Sequence, residues 1–94
     1  MTRDAAFYFA NLGADVSRCV SAAKQNDKAR YDDSLARAHS TLEELHKTGR
    51  HEAYEEGLLM LRGLALARMT PETLTSFQTS LNSLVGVFST RLMT

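Results

Sequence analysis

A chain of 94 residues has room for one compact domain, but not for two domains that each bury their own core. Its 44% hydrophobic and 23% charged residues are ordinary for a globular protein and argue against disorder. Because 11 basic side chains balance 11 acidic ones, the basic excess that binds nucleic acid or anionic membranes is missing.

Three short breaks divide the chain into four segments. The first break holds Asn26 and Asp27, either of which can cap a following helix. Gly49 can end a helix in the left-handed conformation, and Thr70 before Pro71 is typical of a helix start. Because the breaks are short, neighbouring segments should run antiparallel. We therefore predict an all-α, four-helix up-and-down bundle as one domain over residues 1–94, with helices over about 3–25, 27–48, 50–69 and 71–92.

Apolar residues recur at helical spacing in three of the four segments, which predicts one buried stripe on each of these helices. The stripes are Phe9, Leu12, Val16, Cys19 and Ala23, broadened by Phe7, Val20 and Ala22; Tyr31, Leu35, Ala38, Leu42 and Leu45; and Leu74, Phe77, Leu81, Leu84, Phe88 and Arg91 or Leu92. Cys19 cannot form a disulfide within the chain, since it is the single cysteine, and we expect it to be an inert core residue.

The third segment is apolar on all sides. Between Gly57 and Ala67 its only polar side chain is that of Arg62. Three helical faces can be drawn on it, and a four-helix bundle covers about two of them. We expect the core stripe to consist of Tyr54, Leu58, Leu61 and Ala65. A second face has smaller residues and should allow close approach of another helix: Ala53, Gly57, Met60, Leu64 and Ala67. The third face should lie outward and consists of Glu55, Leu59, Arg62, Leu66 and Met69.

The outward face of the third helix is the first candidate interface. Contiguous exposed leucines usually mark a contact with another chain, and arginine is a frequent anchor in such contacts. We therefore predict that Leu59, Arg62, Leu66 and Met69 form an interface. The alternative is that this helix is central within one chain, with Arg62 reaching outward or pairing with Glu55 or Asp15.

The fourth helix has no charged residue between Glu72 and Arg91. Solvated helix faces normally carry lysine and glutamate, whereas the centres of interfaces are depleted in charge. Val85 and Val87 also lie off its main stripe, so we predict that both contribute to the interface. The alternative is a solvent-exposed helix that is merely rich in serine and threonine.

A cluster of titratable residues near the end of the second helix is the candidate metal site. His39, Glu43 and His46 share one helical face, and Glu43 and His46 have the Glu-x-x-His spacing of di-iron bundles. Only a dimer could supply the second copy of this motif. With His51 and Glu55, the cluster defines an alternative: a metal-binding bundle or an enzyme formed across a dimer. A solvated polar face also explains it, and we predict no cofactor or metal.

The N-terminal apolar run resembles a short signal sequence, but Asp4 and Asn11 interrupt the pattern. No run of about 18 apolar residues is present, and a lone cysteine fits a reducing compartment, so we expect a cytoplasmic protein. We predict a small, non-catalytic interaction module that self-associates as a homodimer and acts as an adaptor or regulator of another protein. We expect it to bind neither nucleic acid nor membranes.

Overall fold

The computed structural model describes residues 3–68 and 70–92, and within these ranges the chain forms four α-helices and no strand. The helices are α1 (Ala5–Lys24), α2 (Lys28–Lys47), α3 (His51–Ala67) and α4 (Pro71–Leu92). The prediction of an all-α four-helix bundle is therefore confirmed. No helix in the described part of the chain is both long enough and apolar enough to cross a membrane.

Side-chain caps explain where α2 and α4 begin. The carboxylate of Asp27 accepts a hydrogen bond from the backbone N–H of Arg30 at 3.1 Å. The hydroxyl of Thr70 accepts one from the backbone N–H of Thr73 at 3.2 Å. Each of these bonds satisfies a backbone donor that has no partner within the first helical turn.

The first two breaks each contain a residue in the left-handed region. Asn26 has a φ of 55° and Gly49 a φ of 77°. Asparagine and glycine are the residues that adopt this conformation most readily. The chain can therefore reverse direction in a few residues, which brings consecutive helices side by side.

Contacts along α1 and α2 show that these two helices run antiparallel. The hydroxyl of Thr41 donates to Asp15 at 3.0 Å, while Cys19 Sγ lies 3.9 Å from the carbonyl oxygen of Tyr31. A later residue of α1 therefore meets an earlier residue of α2. Within the described residues α1 packs against all three other helices, whereas α2 and α4 do not contact each other.

The third helix runs antiparallel to α2 in the same way. The ring of Tyr54 stacks on His46 with centroids 4.2 Å apart, and the guanidinium of Arg68 lies 4.5 Å from the centroid of Tyr31. Since α1 and α3 both run antiparallel to α2, they are parallel to each other. The fourth helix is antiparallel to α1. Gln78 of α4 donates to Ser17 of α1 at 3.1 Å. Phe88, later in α4, packs on Phe9, earlier in α1, with ring centroids 4.9 Å apart. The helices therefore alternate in direction, in a bundle of 37 × 23 × 16 Å.

The apolar stripes of α1, α2 and α4 face the common core as predicted. Most of their members are buried or half-buried against the core, whereas Phe7 and Arg91 are exposed, so Leu92 and not Arg91 ends the stripe of α4. The fully enclosed side chains include Phe9, Leu12, Val16, Cys19 and Leu45. The spacing of apolar residues was thus sufficient to find the inner face of these three helices.

For α3 the predicted core stripe is wrong. Leu58 is 41% exposed and Ala65 is exposed, and Tyr54 and Leu61 are half-buried at the edge of the core. The face of smaller residues is the buried one: Ala53, Gly57, Met60, Leu64 and Ala67. The reason is the close approach of α1 and α2, since a Cβ on Gly57 would lie 2.8 Å from both Leu12 Cδ2 and Leu42 Cδ1.

Candidate interaction surface

The predicted outward face of α3 lies in solvent. Leu59 is 53% exposed and Leu66 is 66% exposed, and they are two helical turns apart on the same side of the helix. Arg62, between them, and Glu55, one turn before Leu59, are also exposed. We call Glu55, Leu59, Arg62 and Leu66 the α3 surface. Met69, which was predicted to extend it, lies outside the described residues.

Arg62 does not make either of the intramolecular pairs considered for it. The two carboxylate oxygens of Asp15 are bound by Arg18, at 2.9 Å, and by the hydroxyl of Thr41. Within the described residues neither Arg62 nor Glu55 takes part in a hydrogen bond or an ion pair. The α3 surface therefore presents one cation and one carboxylate that are both available to another molecule.

An apolar groove runs beside the α3 surface, between α3 and α4. Its volume is about 210 Å³. Its lining residues are Leu59, Met60, Phe77, Ser80, Leu81 and Leu84. The two helices can approach closely here because Gly63 has no side chain: a Cβ at this position would lie 2.8 Å from Cε1 of Phe77. Leu59 thus belongs both to the exposed surface and to the wall of the groove.

An uncharged strip on α4 continues the groove and consists of Ser80, Leu84 and Val87. Ser80, Leu84 and Val87 follow one another at spacings that place them on one side of the helix, and Val87 is 62% exposed. As no charged residue lies between Glu72 and Arg91, the α4 side of the groove carries no charge. Val87 is thus exposed on the α3 side of α4, and its contribution to an interface stays a prediction.

Val85 has a different place from the one expected. It is half-buried and packs against α1, where its Cγ2 would lie 2.6 Å from a Cβ on Gly13. Its distance from Val87 in sequence explains this, because residues two apart on a helix point in widely different directions. Val85 therefore joins α4 to α1, and the surface described here does not include it.

Threonine hydroxyls on α4 bond to the helix itself. Thr75, Thr79 and Thr90 donate to the backbone carbonyl four residues earlier, at 3.1, 3.2 and 2.9 Å respectively. A hydroxyl whose proton is already donated loses less on leaving water than a free one. Covering these three hydroxyls with another chain would therefore cost little.

The histidine and glutamate cluster is spread over the surface of α2. His39 and Glu43 are exposed, and the ring of His46 is stacked on Tyr54. Across residues 3–68 and 70–92, no three His, Cys, Asp or Glu side chains are grouped so as to hold a metal ion. His51 and Glu55, on α3, are exposed as well.

The groove itself was not predicted from the sequence. Phe77 and Leu84 were assigned to the core stripe of α4, and the structure places both half-buried at the boundary with α3. Gly63 beside the small face of α3 was the available signal, because it marks where α4 can approach.

Comparison of the chain with protein-family models, with curated proteins and with solved structures finds no match.

Proposed function

We propose that this chain is a small, non-catalytic helical interaction module that self-associates as a homodimer and acts as an adaptor or regulator of another protein. The observation that carries the proposal is the exposure of Leu59 and Leu66 beside an apolar groove. Fully burying a leucine side chain contributes roughly 1.5–3 kcal/mol, so a monomer forgoes a large part of this for both residues. Contact with a second chain would recover it.

The size of the face agrees with a dimer. Two adjacent helices are each roughly 10 Å wide with their side chains. With a rise of about 1.5 Å per residue, the 17 residues of α3 and the 22 residues of α4 span ~25 and ~33 Å, so together they present a face of approximately 600 Å². A standard stable interface buries ~800 Å² on each partner. The α3 surface, the groove and the uncharged strip of α4 are therefore sufficient for a modest homodimer.

The proposed adaptor role is compatible with what a dimer would leave free. If α3 and α4 form the contact, the outer sides of α1 and α2 are presented twice in one assembly. Two linked copies of one binding surface bind a bivalent partner more tightly than one copy does. The proposal places this assembly in the cytoplasm, where a lone cysteine such as the buried Cys19 stays reduced.

The experiment is a measurement of molar mass in solution by gel filtration with light scattering. We expect the wild-type chain to have twice the mass of one chain at high concentration. Leu59→Glu and Leu66→Glu each place a carboxylate in the apolar contact, so each should give a folded monomer. Circular dichroism verifies that the helix content is unchanged, which is expected because both positions are exposed.

Phe7→Glu is the matched control. Phe7 is an exposed apolar residue too, at 41%, but it lies on α1, beside a pocket that α1 forms with α2. This variant should remain a dimer. A wild-type chain that is monomeric at high concentration, or Leu59→Glu and Leu66→Glu variants that stay dimeric, would refute the proposal.

A further inference from the structure

The order of residues on the α3 surface is self-complementary. Along the stripe the residues alternate as Glu55, Leu59, Arg62 and Leu66. With a rise of about 1.5 Å per residue, Glu55 lies ~6 Å before Leu59 and Arg62 lies ~4.5 Å after it. A carboxylate and a guanidinium thus stand at nearly equal distances on the two sides of one exposed leucine.

This order has a consequence for a symmetric dimer. In an isologous contact, each surface meets its own copy rotated by a two-fold axis. If the axis passes beside Leu59 and the two α3 helices are antiparallel, the charged residue one turn before Leu59 on one copy faces the charged residue one turn after Leu59 on the other. Glu55 then faces Arg62 of the second copy, and the same pair forms again on the other side of the axis.

We infer that two copies of this chain associate through antiparallel α3 helices about an axis at Leu59, with reciprocal pairs between Glu55 of each copy and Arg62 of the other. The inference rests on the proposed self-association and names the arrangement within it. It is carried by the charge order and by the absence of intramolecular partners for both residues within the described chain. Arginine suits this position, because its planar head binds a carboxylate while its stem packs on leucine.

The fourth helix provides independent support. The same axis places α4 antiparallel to its own copy, so residues of its middle face the same or neighbouring residues of the second chain. A charged helix would bring like charges together in this position. From Thr73 to Thr90 the helix has no charge, and its middle offers Ser80 and Leu84 at the groove. The uncharged α4 therefore fits this arrangement, because no like charges meet at the middle of the helix.

The test exploits the symmetry. In a homodimer of the Glu55→Arg variant, the introduced arginine of each copy would face Arg62 of the other. In a homodimer of the Arg62→Glu variant, the introduced glutamate of each copy would face Glu55 of the other. Both single variants should dimerise at least about tenfold more weakly than the wild type, since two attractive pairs become repulsive. In a mixture, a heterodimer of the two variants has one pair of introduced residues with opposite charge and one native pair, so it should form selectively.

Native mass spectrometry of equimolar mixtures distinguishes the species, because the two variants differ in mass. The heterodimer should exceed either homodimer, and a double variant that carries both Glu55→Arg and Arg62→Glu should dimerise like the wild type. Glu43→Arg, which makes the same charge change on exposed α2, is the control and should leave dimerisation unchanged.

The outcomes separate the two proposals. A wild-type chain that dimerises, with single variants that dimerise equally well or show no preference for the heterodimer, overturns the antiparallel arrangement and leaves self-association standing. A wild-type chain that stays monomeric overturns both.

Discussion

Val85 of α4 lies directly over Gly13 of α1. A Cβ atom on Gly13 would come within 2.6 Å of Val85 Cγ2 and 3.3 Å of its Cγ1. The missing side chain thus sets how closely α1 and α4 approach. A β-branched neighbour makes this contact rigid, because valine has one strongly preferred χ1 rotamer in a helix.

We therefore predict that Gly13→Ala lowers the free energy of unfolding. Alanine gains about 1 kcal/mol in helix propensity, but overpacking a core contact costs about 1–3 kcal/mol. The nearer methyl group of Val85 could leave the new atom only by rotation about χ1, and a valine in a helix has one strongly preferred χ1 rotamer. We expect a net loss of ~1 kcal/mol, measured by urea denaturation.

Gly86→Ala is the control for this prediction. It is also a glycine within a helix, but it is exposed and a Cβ there would meet no atom within 4 Å. Only the propensity gain remains, so this variant should be more stable than the wild type by up to about 1 kcal/mol. If Gly13→Ala were stabilising to the same degree, the contact with Val85 would not limit the approach of the two helices.

The carboxylate of Asp15 gives a second prediction. Asp15 is buried, and its interhelical partner is the hydroxyl of Thr41 on α2, at 3.0 Å. The single proton of this hydroxyl is shared with the backbone carbonyl of Arg37, also at 3.0 Å. Thr41→Val preserves the shape of the side chain but removes the hydroxyl donor. One buried oxygen of the Asp15 carboxylate then loses its hydrogen bond to α2. We expect a loss of about 1–3 kcal/mol in the free energy of unfolding.

A double-mutant cycle isolates this hydrogen bond from the packing change. In an Asp15→Ala background there is no carboxylate left to satisfy, so the additional substitution Thr41→Val should have little effect. Equal costs of Thr41→Val in both backgrounds would mean that the loss comes from packing rather than from the bond to Asp15.

The fold could be predicted because the residues that start and end its helices act locally. Asp27, Gly49 and Thr70 each act on a turn of a few residues, and the structure has a break or cap at all three. The stripes of α1, α2 and α4 could be predicted for the same reason, since a helix with one apolar face has one way to bury it.

The orientation of α3 could not be predicted in this way. A helix that is apolar all round has no periodicity that selects a face, and bulk favoured the stripe containing Leu58 and Leu61. The buried face of α3 is determined by how closely α1 and α2 approach it. Gly57 lies against Leu12 and Leu42, where a larger side chain would not fit. The face that carries Ala53, Gly57 and Ala67 is therefore buried together with Met60 and Leu64, whereas Leu58, Leu59 and Leu66 are exposed.

The buried position of Asp15 also had no signal in the sequence. Its partner Thr41 is 26 residues away, on another helix, so the pairing depends on how α1 and α2 align. The outward position of Leu59, Arg62 and Leu66 could be predicted, because it requires only that a bundle covers two faces of α3. The groove needed the placement of α4, which depends on the contact between Gly63 and Phe77.

Cys19 gives the last prediction, which concerns alkaline pH. Burial, and secondarily the nearby carboxylate of Asp15, raise the pKa of its thiol from 9.0 to about 11. Between these values the unfolded chain releases a proton that the folded chain keeps. Since the folded state then binds more protons, its stability must fall as the pH rises through this range.

The comparison with Cys19→Ala isolates this effect. The alanine variant has no thiol to ionise, so it should lose less stability than the wild type between pH 9 and pH 11. Groups that do not interact with Cys19 titrate in both proteins and cancel in the difference. Tyr31 does not cancel fully: its pKa is raised mainly by burial and, to a smaller extent, by the charge of Cys19, so part of its contribution is removed with the thiol and acts in the same direction. Chemical denaturation at several pH values measures the difference in the free energy of unfolding between the two proteins. If this difference did not change with pH, the thiol would ionise equally easily in the folded and unfolded states.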